Sequence, residues 1–572
     1  MRRRLSGALI LATLASIMAA PQSVPALGTR TTEAVSVWQH RNSGSTTGWD
    51  IWWSALGRAG TGPLTWHTNG TPIATALSTL AGDEKNPHVA SREAGSIAVW
   101  QRSTGTGSSA TGWDIYFSTL SNSSGTWTAP AAVSTVAGDD YDPNVAIDPA
   151  GNAIAVWVHR NTNGTRQIYW SVKPVSGSWT TAAALPSTGG KASLPEITLT
   201  AIQSVSGSTI GRYAVATWSD DIGGGVRRQF ASRFTGTAWS TPVQIESAAT
   251  GIGVSIHTVG FAEYLGTDSD PFGAFGRNGV TADAVGNAYI VWSGGPTILN
   301  NYSPAVVGAI WNMNSGAWSP MLAPGGSREV GTGGCENPDA AMTSGAGDFV
   351  SVYSFNGYIE DTRRVGGSFT YEQYSYGSSL DDQRPSVAAI SDTQVVSVNW
   401  GAPQGSGSQI AWSVGTFTGG GNITWTSAAT LALSGEDMFP EVASGFIPPL
   451  YTGDAYTLDL RVEGTPQNLG IHTLAGARTM DGTAEGLLPK VVLPLGLGEI
   501  SGAHNTASAG GGSASATSVI ERVSLLNGAI QAEAIRTQAN ASLGPPPSTN
   551  STGTRIGRLV VGGQTIDVPA TG

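Results

Sequence analysis

The chain has 572 residues, 12% of them charged, and a formal net charge of −11. That length leaves room for a large core and more than one domain, and the acidic balance excludes a binder of phosphate backbones, which needs clustered Lys and Arg. Cys335 is the sole cysteine, so neither an intrachain disulfide nor a thiolate metal cluster is available.

The first 26 residues read as a secretory signal peptide. Arg2, Arg3 and Arg4 form a charged head, residues 5–20 are apolar, and Val24-Pro25-Ala26 offers a small-residue cleavage site. Export is therefore expected, to the extracellular space or the cell surface. No later segment reaches the ~20 apolar residues of a spanning helix, so no transmembrane segment is expected after cleavage.

A repeat follows. Asn86-Pro87-His88-Val89-Ala90 leads to Ser96-Ile97-Ala98-Val99-Trp100, and Asp142-Pro143-Asn144-Val145-Ala146 leads to Ala153-Ile154-Ala155-Val156-Trp157. Each continues into a third alternating run and a fourth ending in Gly-x-Trp. Four short strands per unit, joined by Gly, Asn and Ser turns, predict a propeller blade. The second-strand aromatic recurs at Trp38, Trp100, Trp157, Trp218, Trp292, Tyr353 and Trp400. The fourth-strand aromatic keeps step at Trp66, Trp127, Trp179, Trp239, Trp318, Phe369 and Trp425. The first unit lacks its own first strand, and the missing piece lies at Phe439-Pro440-Glu441-Val442-Ala443-Ser444.

The expected fold is all-β: a seven-bladed β-propeller over residues 33–446, closed by that C-terminal strand so that no open edge is left. A linker at 447–454 then leads to a small β-sandwich-like domain at 455–572. In that domain residues 455–462 alternate as a strand, and two further β-rich runs cover 518–536 and 558–566.

Connections from strand four to the next strand one are acidic (Asp83-Glu84, Asp139-Asp140, Asp381-Asp382, Glu436-Asp437). Those from strand two to strand three carry His40-Arg41, Arg102, His159-Arg160 and Asp220-Asp221. Propeller topology puts both classes on one rim, where groups of both signs make a candidate site. The ligand-binding candidates are His40, Arg41, Arg102, His159, Arg160, Trp49 and Tyr141, with Trp49 and Tyr141 as exposed stacking rings. The recurrence of the acids and histidines also fits turn-fixing and blade-repeating roles. Catalysis is better sought where the repeat breaks, at residues 247–278 and 325–337. There His257, Glu263, Tyr264 and Arg328 are the candidates for acid–base work and for neutralising a substrate carboxylate. No cofactor is expected; oxygen-rich loops suit a hard cation such as Ca2+, but no Asp-x-Asp-x-Asp loop is present.

The blade pattern, from Pro143-Asn144-Val145-Ala146 through Val156-Trp157 to Ser178-Trp179, resembles bacterial exported propellers of the sialidase or BNR-like superfamily. The resemblance implies the fold. It carries over no catalytic residue, because Ser123-Ser124-Gly125-Thr126-Trp127 lacks the Asp of an Asp-box and no early Arg-Ile-Pro is present. The pattern from Val523-Ser524-Leu525-Leu526-Asn527-Gly528 to Val568-Pro569 resembles the C-terminal choice-of-anchor domains of actinobacterial surface proteins, over roughly the last hundred residues. These readings lead to a monomeric binding propeller for carbohydrate or another cell-envelope component. The alternatives are a polysaccharide lyase or glycoside hydrolase, and a structural or adhesive surface protein.

Overall fold

Runs such as Ala153–Arg160 are apolar at nearly every position, and Ala155, Val156 and Trp157 are wholly buried. A short continuous apolar run of this kind makes a strand covered on both faces. In the computed structural model, described stretches run between residues 26 and 566. Residues 1–25, 202–211, 246–277, 295–304, 322–328, 461–470 and 567–572, with shorter segments, lie outside the described residues. The described chain is all-β and divides after Pro449. No described helix is long and apolar enough to cross a membrane.

Within Ser23–Pro449 the described residues form seven antiparallel sheets of four or five strands. Sheet two runs Asp83–Arg92, Gly95–Ser103, Asp114–Ser121 and Thr126–Trp127, with Ala131–Ala132 also on its third strand. Sheet three begins with Asp139–Ile147, sheet four with Ser193–Ala201, sheet five with Asn278–Ala282, sheet six with Cys335–Met342 and sheet seven with Gln383–Ala389. Sheet one takes its first strand from the far end of this unit: Glu436–Ser444 pairs antiparallel with Ala34–Arg41, Ser36 opposite Val442. Each first strand touches the next, and Glu436–Ser444 touches both Gln383–Ala389 and Asp83–Arg92.

The seven second-strand aromatics are all buried between sheets, where a large ring removes much apolar area from water. A less visible repeat holds the outer strands. The third-strand serines Ser118, Ser171, Ser232 and Ser413 donate Oγ–H to the carbonyls of Thr128, Thr180, Ser240 and Thr426, at 2.6–2.7 Å. The acceptors directly follow Trp127, Trp179, Trp239 and Trp425, of which Trp127 and Trp425 lie on fourth strands and Trp179 and Trp239 just before them. In sheet two that strand is split around Pro130, which has no N–H to give a ladder, so the outer edge is short and blunted.

A β-bulge recurs near the start of the first strands, with register shifts at Lys85/His88, Tyr141/Asn144 and Gln383/Ser386. Asn86, Asp142, Arg384 and Phe439, each just before a proline, have φ of 46–55°. That left-handed conformation is costly for residues with a Cβ, and neighbours hold it. Gln39 Oε1 accepts the Asn86 N–H at 3.2 Å, and Gln101 Oε1 accepts the Asp142 N–H at 2.9 Å.

The unit Leu450–Gly572 differs from its expectation. Of the run at 455–462, the described parts fall in two strands, Gly453–Tyr456 and Asp459–Leu460, which belong to separate two-stranded sheets; the rest lies outside the described residues. Its described residues include one seven-stranded sheet, running through Gly482–Leu493, Gly498–Gly510, Ser513–Leu525, Ile530–Ser542 and Arg555–Val561. The small sheet of Gly453–Tyr456 and Gly476–Thr479 touches its central strands. Its buried apolar cluster is Ile500, Ala503 and Ile520. Val523, Leu525 and Ile535 pack against it.

Candidate functional site

The acidic pairs divide their labour. In sheets two and three the first acid reaches back to the preceding sheet: Asp83 Oδ1 accepts the Trp49 N–H at 3.3 Å, and Asp139 Oδ1 accepts those of Gly112 and Trp113. The second acid turns inward to its own sheet. Asp437 Oδ1 accepts from Trp38 Nε1 at 2.7 Å and from His40 Nδ1 at 2.8 Å, and Asp140 Oδ1 lies 2.6 Å from His159 Nδ1. Both histidines are buried and rest on rings, His40 on Trp52 and His159 on Tyr169. Gly138 and Gly435 precede these pairs at φ of 142° and 135°; a Cβ there would collide with the Arg160 or Arg41 carbonyl and with the imidazole. Only glycine fits.

Glu84 occupies the third such position without a histidine. It is wholly buried, its Oε1 accepting from Ser78 Oγ at 2.7 Å and Trp100 Nε1 at 2.8 Å. Burial pushes its carboxyl up to about 7, against the pull of those two hydrogen bonds. Burial also raises Asp50, and it raises Asp114, which the charges of Asp140 and Asp139 push further.

On the rim, sheets one and two set cations against rings: Arg41 over Trp49 at 4.6 Å in sheet one, and Lys85 over Trp113 at 5.7 Å and Arg102 over Tyr116 at 4.9 Å in sheet two. Arg41 also pairs with Glu436, and both remain part-exposed. The buried second acids therefore order the rim, and it offers solvent both cations and the Glu436 carboxylate.

A second polar feature was not legible in the sequence. The residue after the repeated proline is His88, Asn144, Glu196, Asp339, Ser386 or Glu441 in six of the sheets. These side chains staple neighbouring first strands together. Asn144 Oδ1 accepts the Ile197 N–H at 3.3 Å, Asp339 Oδ2 that of Val387 at 2.9 Å, and Ser386 Oγ that of Val442 at 3.1 Å. The chain closes the series with His88 Nε2 at 3.9 Å from Glu441 Oε2. First strands of all seven sheets line the adjoining cavity of about 200 Å3. That is below the roughly 300–1,000 Å3 of a drug-sized pocket.

Two expectations need correcting. Trp49 is 9% exposed and Tyr141 5%, so neither ring offers a stacking face: Arg41 covers Trp49, and Tyr141 packs against Trp113. His40 and His159 are brought to equivalent positions but closed to solvent. Arg41, Arg102 and Arg160 are part-exposed on the expected rim. His257, Glu263, Tyr264 and Arg328 lie outside the described residues, as does the signal peptide up to residue 25. Among the described residues no group of three or more His, Cys, Asp or Glu is placed to hold a metal ion.

No protein-family model and no curated protein matches the chain. Among solved structures, the chain is similar to the Hadza microbial sialidase Hz136 at 11% identity and a TM-score of 0.35, covering 66% of this chain and 73% of that one. It is also similar to a Penicillium chrysogenum alpha-L-arabinanase complexed with arabinobiose, at 12% identity and 0.33, covering 61% and 93%. A third is a polysaccharide lyase of family PL25, an ulvan lyase, at 11% identity and 0.37, covering 62% and 86%. Likeness at this level carries no argument about activity.

Proposed function

We propose that residues 23–449 form a closed seven-bladed β-propeller, exported to the cell surface or beyond, that binds a carbohydrate or another envelope component on its rim. Two observations support the ring: first strands touch in cyclic order, and Glu436–Ser444 pairs with Ala34–Arg41. The binding reading rests on the repeated rim cations beside carboxylates. Part-exposed guanidinium and carboxylate groups suit hydroxyl-rich or acidic glycans by hydrogen bonding, whereas the buried rings give no stacking platform. Among the described residues binding is favoured over catalysis, because His40 and His159 on the rim are buried and locked to carboxylates and so are not accessible for acid–base work. In this reading the unit Leu450–Gly572 serves attachment.

The test is a glycan array probed with the full chain and with Arg41→Ala/Arg102→Ala. The reading expects signal on acidic or neutral polysaccharides that the double variant loses. No signal above background for the intact chain contradicts it. Release of reducing ends or unsaturated products, abolished by His257→Ala or Tyr264→Phe, would establish the enzyme alternative.

A further inference from the structure

The seven-stranded sheet of Leu450–Gly572 has two unlike faces. Ile500, Ala503, Ile520 and Val523 share one apolar cluster, although three-residue steps such as Ile500 to Ala503 normally change face. Between them each strand carries one residue outside the ladder, Gly502, Glu521, Ala534 or Gly557. Gly502 and Ala534 take left-handed φ of 63° and 51°, and the alternation restarts at that level. Arg522, Glu533, Arg536, Arg555 and Arg558 consequently share the face opposite the cluster.

One acid stands among these four arginines. Arg558 pairs with Glu533 at 3.5 Å, and Arg522 is opposite Glu533 in register. Arg536 and Arg555 are opposite each other, with no acid in ion-pairing reach among the described residues. Like charges directly opposite destabilise a strand pair. Arg536 gives Nη2–H to Gln538 Oε1 at 2.9 Å, while its Nε is buried with no hydrogen-bond partner. Arg555 is exposed. Glu521 does not balance the pair, because its carboxylate lies against Gly502, on the strand away from Arg555.

We propose that this face docks an acidic polysaccharide, a carboxylate seating between Arg536 and Arg555. A planar guanidinium takes a carboxylate through two parallel N–H donors. Neighbouring strands lie about 4.8 Å apart, so both arginines reach one carboxylate, and Arg522 and Arg558 continue the positive strip. Ser524, Gln531 and Gln538 on the same face suit sugar hydroxyls. No Phe, Tyr or Trp follows Tyr456, so nucleic-acid bases have no ring to stack on. The proposal rests on the attachment reading of this unit and gives it a chemistry; it is independent of the rim.

Calorimetric titration of the full chain with polygalacturonate tests this at about 20 mM salt, where exposed charges are little screened. Arg41→Ala/Arg102→Ala serves as the host, so that the rim arginines take no part, and dextran and duplex DNA are the comparisons. Polygalacturonate alone should bind, and adding Arg536→Gln/Arg555→Gln should weaken it about tenfold or more. In the host, polygalacturonate should also slow amide exchange in Ile530–Ser542 and Arg555–Val561. No binding, equal binding of DNA, or undiminished affinity in the arginine variant overturns the proposal. Should that variant not fold, exchange left unslowed in those two strands overturns it instead. Sedimentation with cell envelopes reads attachment separately. Envelopes that hold the arginine variant as well as the host keep the attachment reading and sink the docking surface. Envelopes that hold neither, with polygalacturonate still bound, do the reverse.

Discussion

His40 Nδ1 lies 2.8 Å from Asp437 Oδ1, joining positions 397 residues apart. The same oxygen takes the indole N–H of Trp38, and all three side chains are buried. Removing one partner of a buried pair leaves the other uncompensated, at about 3–5 kcal/mol. Asp437→Ala should lose that much in urea unfolding. Asp437→Asn should lose less, because its amide oxygen still accepts from Trp38 and His40.

The serine clasp predicts a smaller, repeated effect. Ser171→Ala deletes the donor to the Thr180 carbonyl and should cost about 1 kcal/mol. Ser118→Ala should behave alike in sheet two, and the double variant should be nearly additive, as expected for sites without shared partners. Urea midpoints for the two singles and the double measure this.

Asp114 gives a signed pH dependence. Burial first, then the charges of Asp140 and Asp139, raise its carboxyl above the ordinary value. The folded state therefore holds this proton more tightly, and stability falls as pH rises from the unfolded value through the raised folded one. Asp114→Asn should raise the melting temperature at neutral pH and change it little at acidic pH, where the carboxyl is protonated in both states. A larger gain at acidic than at neutral pH would contradict the assignment.

Ala534 sits at φ of 51° in the long C-terminal sheet. Left-handed backbone costs an alanine about 1–2 kcal/mol, and glycine gives back part of that through unfolded-chain entropy. Ala534→Gly should stabilise the unit by about 0.5 kcal/mol, read as a small rise in the thermal midpoint.

The strand skeleton was legible because tryptophan is scarce enough for its spacing to stand out. Trp100, Trp157 and Trp292 announce second strands, and the serines beneath the outer strands do not, because Ser and Thr are common throughout the chain. The position after the repeated proline escaped notice for another reason. Its identity changes from His88 to Asn144 to Glu196, and only its job of bonding the next first strand is kept. Trp49 was misread as exposed because its cover, Arg41, and its anchor, Asp83, come from other strands. In the C-terminal unit the run at 518–536 hides a hairpin at Leu526–Ala529, where Asn527-Gly528 supplies the left-handed turn.

The central claim, a ring closed by its last strand, is tested by the double variant Ser36→Cys/Val442→Cys. Ser36 and Val442 stand opposite each other in register, within the roughly 4.4–6.8 Å Cα separation a disulfide spans. Peptide mapping under oxidising conditions should find the two introduced cysteines joined to each other and Cys335 still free. The loop-entropy model allows up to about 6 kcal/mol of stabilisation, so the denaturation midpoint should rise on oxidation. A double variant that folds yet forms no such bond would contradict the closure.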